Sequence, residues 1–249
     1  MDTTTIVTKT RPSIIVENVQ KTFLLRHTHS FKEAFIARIK KKKISTSFQA
    51  LQDITFTIDQ GESVAILGYN GSGKSTLLKL IAGVLEPDGG KILTRGRVAG
   101  LIEVGAGFHP DLSGRENVYL NAAILGMNKA EIDARFDDIV AFSEIEEFID
   151  SEVKHYSSGM FLRLAFSVAI HVDLDILLVD EILAVGDAPF REKCRLKIRE
   201  LVEQGKTMVV VSHDTKTVQD LCDRGIVIKK GVKVFDGPVA EAVEVLKHP

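Results

Sequence analysis

The stretch Gly68-Tyr69-Asn70-Gly71-Ser72-Gly73-Lys74-Ser75-Thr76 fits the spacing G-x-x-x-x-G-K-[ST] in the setting that spacing requires. Upstream, Ser63-Val64-Ala65-Ile66-Leu67 is a short apolar run of the kind that forms a buried strand. Downstream, Leu77-Leu78-Lys79-Leu80-Ile81-Ala82 continues as a helix. Strand, glycine-rich loop and helix together form a phosphate-binding loop. Its glycines let successive N–H groups turn inward at phosphate oxygens, and the helix N-terminus adds its dipole. In such a loop Gly68, Asn70, Gly71, Ser72 and Gly73 supply the cradle. Lys74 lies along the β- and γ-phosphates, the Ser75 hydroxyl ligates Mg²⁺, and Thr76 is a reserve hydroxyl.

The 249 residues are 45% hydrophobic, enough for a packed core in one α/β domain or two small ones, and the net charge of −2 gives no global attraction to nucleic acid. Cys194 and Cys222 lack metal-ligand spacing and read as ordinary thiols of a reducing compartment. No apolar run reaches the ~20 residues needed to span a bilayer, so a membrane role has to come through a partner.

Residues 1–12 read as a loose polar tail. Ser13–Val19 and Ile54–Ile58 read as strands, the second alternating with period two. Between them, Phe31, Ala34, Phe35 and Ile39 fall at helical spacing ahead of Lys40-Lys41-Lys42-Lys43. From Arg26 to Lys43 there are seven basic residues against Glu33 alone. The spacing favours a basic amphipathic helix suited to a membrane interface, over a solvated charged loop. Ser113-Gly114-Arg115-Glu116 and Asn128-Lys129-Ala130-Glu131 each set a capping residue three before a Glu, which predicts helices over about 114–126 and 129–142. A third helix spans about 158–171. A strand at Leu174–Val179, a helix over 188–204, a strand at Met208–Val211, a helix over 215–223, a hairpin around Lys230-Gly231 and a last helix over 238–247 follow. The expected fold class is α/β, a P-loop NTPase core with a mostly parallel sheet, N-terminal antiparallel strands and an inserted helical subdomain. All 249 residues form one domain: 13–94 and 172–249 are the core, 25–48 the basic insertion, and about 103–171 the helical part.

Ile176-Leu177-Leu178-Val179-Asp180-Glu181 ends an apolar strand in two carboxylates, where parallel sheets carry their ligand sites. Asp180 would hold Mg²⁺ and Glu181 would serve as general base toward the attacking water. His213, after the next buried strand, could reach the γ-phosphate.

With Tyr156-Ser157-Ser158-Gly159-Met160, these residues resemble the nucleotide-binding subunit of an ABC transporter over about Ile14 to Leu246. The resemblance implies ATP as the nucleotide and Phe23 as the aromatic that stacks on adenine. It implies a glutamine-loop role, with Mg²⁺ contact, near Glu103 or its neighbour Val104. It also implies a signature motif in which Ser157, Ser158 and Gly159 meet ATP held by the opposite subunit of a homodimer, and an Asp-bearing loop ending at Asp187. Tyr156, Ser158 and Met160 stand where Leu, Gly and Gln are usual, and no Gln occupies the expected loop. Y-S-S-G-M, D-E-x-L-A-V-G-D and G-A-G-F-H-P-D-L-S-G-R-E-N together resemble the ATPases of bacterial polysaccharide exporters, which handle O-antigens, capsules, teichoic acids or galactans. The expected partners are therefore integral membrane permease subunits and a lipid-linked glycan at the transporter entrance, at the cytoplasmic face of the membrane. The end at Pro249 resembles the shorter members of that branch. An ABC importer or lipid exporter is the alternative, and a soluble ABC-type ATPase a lesser one. A GTPase is disfavoured because Asn128-Lys129-Ala130-Glu131 has Glu where N-K-x-D needs Asp. A nucleic-acid binder is disfavoured for want of stacking aromatics and a wider basic face.

Overall fold

The structure is a computed structural model that describes residues 11–26, 45–101, 105–180, 186–212 and 214–247. In chain order the elements are β1 (Pro12–Arg26), β2 (Ser45–Asp59), β3 (Ser63–Leu67), α1 (Lys74–Ile81), β4 (Gly89–Thr94) and β5 (Val98–Leu101). They continue as α2 (Gly114–Ile124), α3 (Lys129–Ser143), α4 (Ser158–His171), β6 (Ile176–Asp180), α5 (Ala188–Glu203) and β7 (Thr207–Val211). The last are α6 (Thr215–Leu221), β8 (Arg224–Lys229), β9 (Val232–Pro238) and α7 (Val239–Lys247).

The larger sheet has the order β5-β6-β7-β3-β8-β9, with its first five strands parallel and β9 antiparallel to β8. Helices cover one face of the parallel strands and α1 with the smaller sheet covers the other, so these strands read as continuous apolar runs, and β3 and β7 are buried throughout. Their alternate residues divide between two cores. Ala65, Leu67, Leu177, Val179, Met208 and Val210 pack on one face with Phe166 of α4 and Phe190 of α5. Val64, Ile66, Ile176, Leu178, Val209 and Val211 pack on the other with Leu77 and Leu78 of α1 and with the smaller sheet. Burial pushes the thiols of Cys194 and Cys222 up to about 12, so both stay protonated and unreactive at neutral pH.

The smaller sheet is antiparallel, order β2-β1-β4. The expected strands at Ser13–Val19 and Ile54–Ile58 are the inner portions of much longer ones. Asn18 (φ 50°) and Asp53 (φ 53°) adopt left-handed conformations, and the β1–β2 register shifts near Asn18. Each irregularity breaks the alternation that marks a strand in sequence. Past the break the ladder runs on to Arg26 paired with Ser45, so it takes in both ends of the expected 25–48 insertion. The amphipathic segment Phe31 to Lys43 lies outside the described residues.

Helices α2, α3 and α4 enclose a third core built on Val118, Ile132, Ile139, Leu164 and Val168. Both expected capping boxes are present, at Ser113 with Glu116 and at Asn128 with Glu131. Asn117, fully buried, organises the loop ahead of α2. Its side-chain oxygen accepts from the His109 N–H at 2.7 Å, and its amide donates to the carbonyls of His109, Leu112 and Ser113. That loop is in turn laced to the segment leading into α4, with Gly114 N–H donating to Ser151, Val153 N–H to Leu112 and Lys154 N–H to Pro110. Replacing Asn117 by Ala takes the acceptor from the His109 N–H and removes the amide that gathers the carbonyls of His109, Leu112 and Ser113. Urea denaturation should show a loss of about 1–3 kcal/mol, with the midpoint lowered at unchanged slope.

Candidate functional site

The phosphate loop occupies the turn from β3 into α1, and its shape is fixed from three sides. Gly73, the residue before α1, has φ 107°, and a Cβ there would lie 2.6 Å from the Ala50 carbonyl and 2.7 Å from Leu51 Cδ2. Glycine is therefore required both by conformation and by the close approach of β2. The two-residue turn between β8 and β9 has positive φ at Lys230 and Gly231, as a tight hairpin needs. The Gly231 N–H donates to the Ser72 carbonyl at 2.9 Å, and the Gly231 carbonyl accepts from Gln52 N–H at 2.7 Å. The hairpin thus ties β2 to the loop. Lys74 is buried, and its ammonium donates to the carbonyls of Gly68 (2.9 Å) and Tyr69 (3.2 Å).

Phe48, Ala50, Asn70, Gly71, Gly73, Lys74, Ser75, Thr76 and Asp180 line one cavity of about 360 Å³. The structure therefore brings the loop together with the first carboxylate of the β6 end, as the sequence predicts. Ser75 is exposed at the cavity, and the Ser72 hydroxyl, 4% exposed, has no protein partner. Ser72 is not in the cavity wall, its hydroxyl lying beside Gly68; the Lys74 ammonium and the bare backbone of Gly71 and Gly73, which are in the wall, suit an anionic oxygen. A hydroxyl from Ser75 and a carboxylate from Asp180 in one cavity wall suit a hard, oxygen-seeking cation such as Mg²⁺. Glu103, Glu181 and His213 lie outside the described residues.

One aromatic residue is in the wall of this cavity, and a second is its neighbour across the ladder. Phe48, 48% exposed, is in its wall; Phe23 sits directly opposite Phe48 in the β1–β2 ladder, with Lys21 Nζ 5.8 Å from its ring centre. Phe48 escaped the sequence reading because it stands at the edge of the basic insertion, beyond the Asp53 irregularity that interrupts the strand pattern.

The signature residues form a separate place. Ser157 caps α4, its hydroxyl accepting from the Met160 N–H at 3.2 Å, and Ser158 opens the helix exposed. A shallow cavity of about 380 Å³ here is lined by residues including Glu144, Ser157, Gly159, Arg163 and Asp187, and it shares no lining residue with the phosphate cavity. Arg163, another residue the sequence reading missed, joins this group. Its guanidinium donates to Glu144 at 2.7 Å and to Asp187, and it stacks over Phe190 at 4.7 Å. Lys193 adds a second bond to Glu144 at 2.9 Å. That bond leads the causes holding the Glu144 carboxyl below its ordinary range. At Asp187 partial desolvation pushes upward, but the bond from Arg163 and nearby N–H groups outweigh it, and the carboxyl is lowered.

Residues 51–184 match the ABC transporter family. The chain belongs to that family. It is similar to the ABC transporter protein AbcA of Aeromonas salmonicida, at 46% identity over 226 residues, 91% of this chain and 73% of that protein. It is also similar to the O-antigen export system ATP-binding protein RfbB of Myxococcus xanthus, at 50% identity over 218 residues. That match covers 85% of this chain but 50% of that protein, so the chain spans half its length. Among solved structures, a dimeric ATP-binding cassette in a post-hydrolysis state bound to ADP and Pi superposes with a TM-score of 0.70 at 24% identity. The match covers 91% of this chain and 98% of that one, and establishes the ABC ATPase fold.

The lowered carboxyls set a pH dependence. A carboxyl depressed in the folded state stabilises the fold above its unfolded pKa, and that contribution is lost as pH falls through the folded value. Replacing Arg163 by Met should lower the melting temperature at pH 7, and the gap to the unmodified chain should narrow as pH drops below about 4. Melting curves across pH 3–7 measure this, and a gap constant with pH would remove the carboxylates from the explanation.

Proposed function

We propose that this chain is the ATP-hydrolysing subunit of a membrane transporter that exports a lipid-linked polysaccharide. The carrying observation is the division of the site into two cavities with no lining residue in common, one a phosphate cradle and one a helix N-terminus bearing Ser157 and Gly159. An anion site with no phosphate of its own calls for a second copy to supply one, so two chains in head-to-tail register close two shared sites. The similarity to an O-antigen export ATPase supports the polysaccharide reading over an importer or a lipid exporter.

In this reading the backbone N–H groups of residues 70, 71 and 73–76 and the Lys74 ammonium hold the β- and γ-phosphates. Phe48 and Phe23 offer an aromatic surface for adenine. Ser75 and Asp180 would hold Mg²⁺, which supplies neutralisation of phosphate charge. Glu181, next in sequence to Asp180, takes a proton from the attacking water, and His213 contacts the γ-phosphate. Ser157 and Gly159, with Ser158, face the ATP of the partner copy, and Asp187, held by Arg163, borders that contact. Glu103 or Val104 occupies the glutamine-loop position, and Glu103 could reach the metal.

No helix among the described residues is long and apolar enough to cross a membrane. Attachment to the cytoplasmic face then falls to permease subunits. A mostly apolar groove of about 420 Å³ between β5 and the helical block, lined in part by Val84, Val98, Ile124 and Ala165, would take a segment of such a permease. The basic segment Phe31 to Lys43 would lie against anionic lipid, or guide the pyrophosphate of the lipid-linked glycan, at about 1 kcal/mol per basic side chain.

Replacing Glu181 by Gln keeps the shape of the site and removes the base. Steady-state hydrolysis should fall about 10²-fold or more. Light scattering should then show an ATP-dependent dimer that Ser157→Arg abolishes. Near-normal turnover in Glu181→Gln would reassign the base. In the assembled transporter, Lys40 to Lys43 replaced by Gln should reduce glycan export while ATP binding by the subunit is retained; unchanged export would leave the basic segment without a transport role.

A further inference from the structure

The last turn of α7 ends on the phosphate loop. The Tyr69 hydroxyl donates to the Leu246 carbonyl at 2.7 Å, and Lys229 Nζ, at the end of β8, donates to the Val245 carbonyl at 3.2 Å. Both acceptors are among the final carbonyls of a helix, which have no partner within it. The body of α7 cannot drift, because Ala242 and Val243 are buried and Ala242 lies where a Cβ on Gly225 would be only 2.5 Å away. Its end is thus a fixed post set beside the loop.

Tyr69 is 53% exposed, so burial of its ring does little to place it. Its main-chain carbonyl accepts from Lys74 Nζ at 3.2 Å and from the Ser72 N–H at 3.1 Å. One residue therefore grips the helix end with its side chain and the phosphate-binding lysine with its backbone. The hairpin turn holds the opposite flank of the loop through the Gly231 N–H, but nothing in that contact orients the Tyr69 peptide.

We infer that Tyr69 is a positioning residue through which the C-terminal turn of α7 sets the phosphate loop, so that nucleotide in the loop and any load on the end of α7 act on each other. The inference rests on the reading of residues 68–76 as the ATP site. Coupling of this kind is reciprocal: if an ordered α7 end favours nucleotide, nucleotide must order the α7 end by the same factor.

The test uses the full chain, Tyr69→Phe, a chain ending at Glu244 that removes both acceptor carbonyls, and the combination of the two. Calorimetric titration with the non-hydrolysable analogue AMP-PNP and Mg²⁺ should show Tyr69→Phe binding about three- to tenfold more weakly, the value of one hydrogen bond. The shortened chain should show a similar loss, and the combination no more than either alone. Hydrogen exchange should slow in the last turn of α7 when AMP-PNP binds the full chain, and not in Tyr69→Phe. Unchanged affinity in Tyr69→Phe, with or without a lower melting temperature, would reduce the contact to a helix cap and overturn the inference. Multiplying losses in the combination would also overturn it, since the hydroxyl would then act other than through α7. Failure of the full chain to bind AMP-PNP would instead overturn the ATP reading and this inference with it.

Discussion

The shape of the candidate site depends on one steric constraint: the turn from β3 into α1 is held open between β2 and the β8–β9 hairpin. Isolated, such a turn would collapse, since glycine-rich backbone has the most conformational freedom to lose. The fold prevents collapse by crowding. Strand β2 passes so close that only glycine fits at position 73, the β8–β9 hairpin donates into the loop at Ser72, and Lys74 ties together the carbonyls at its start. The parallel sheet supplies the rest, because β3, β6 and β7 end at the same edge and deliver the loop, Asp180 and the segment after Val211 to one side.

The helical block has its own core, and the second cavity opens on it. Its signature helix starts from Ser157 as the capping residue, and Arg163 bridges Glu144 at the end of α3 to Asp187 at the head of α5. These are partly exposed ion pairs, each contributing little to stability in isolation. Their value lies in geometry: they set the Ser157 side of the block against the Asp187 segment that leaves the Asp180 strand. The block is laced internally by buried amides, above all Asn117, so the loop before α2 and the segment before α4 are joined by a short ladder of backbone bonds.

Much of this was legible in sequence, for identifiable physical reasons. The phosphate loop, the Asp180 strand and both capping boxes are marked by short local patterns, although the loop's shape is held from outside by β2 and the hairpin. The buried strands show as apolar runs because both faces are covered, one by helices and the other by α1 and the smaller sheet. The outer parts of β1 and β2 were illegible because left-handed residues at Asn18 and Asp53 break the period of two, and Phe48 was lost with them. Arg163 was illegible for a different cause: an arginine in a helix carries no sign of which two carboxylates, 19 residues before and 24 after, the fold will bring to it. The Tyr69 contact with Leu246 spans 177 residues and is beyond any local pattern.

In the proposed assembly each ATP site is completed by a second copy of the chain, phosphate loop from one and signature from the other. Mixing two inactive variants tests it directly. Lys74→Ala spoils the phosphate loop and leaves the signature intact, and Ser157→Arg does the reverse. In a mixed dimer one shared site has both intact halves and the other has neither. Hydrolysis absent from each variant alone should reappear on mixing, rising to a maximum near equal proportions. Mixtures as inactive as their components at every ratio would contradict a shared site.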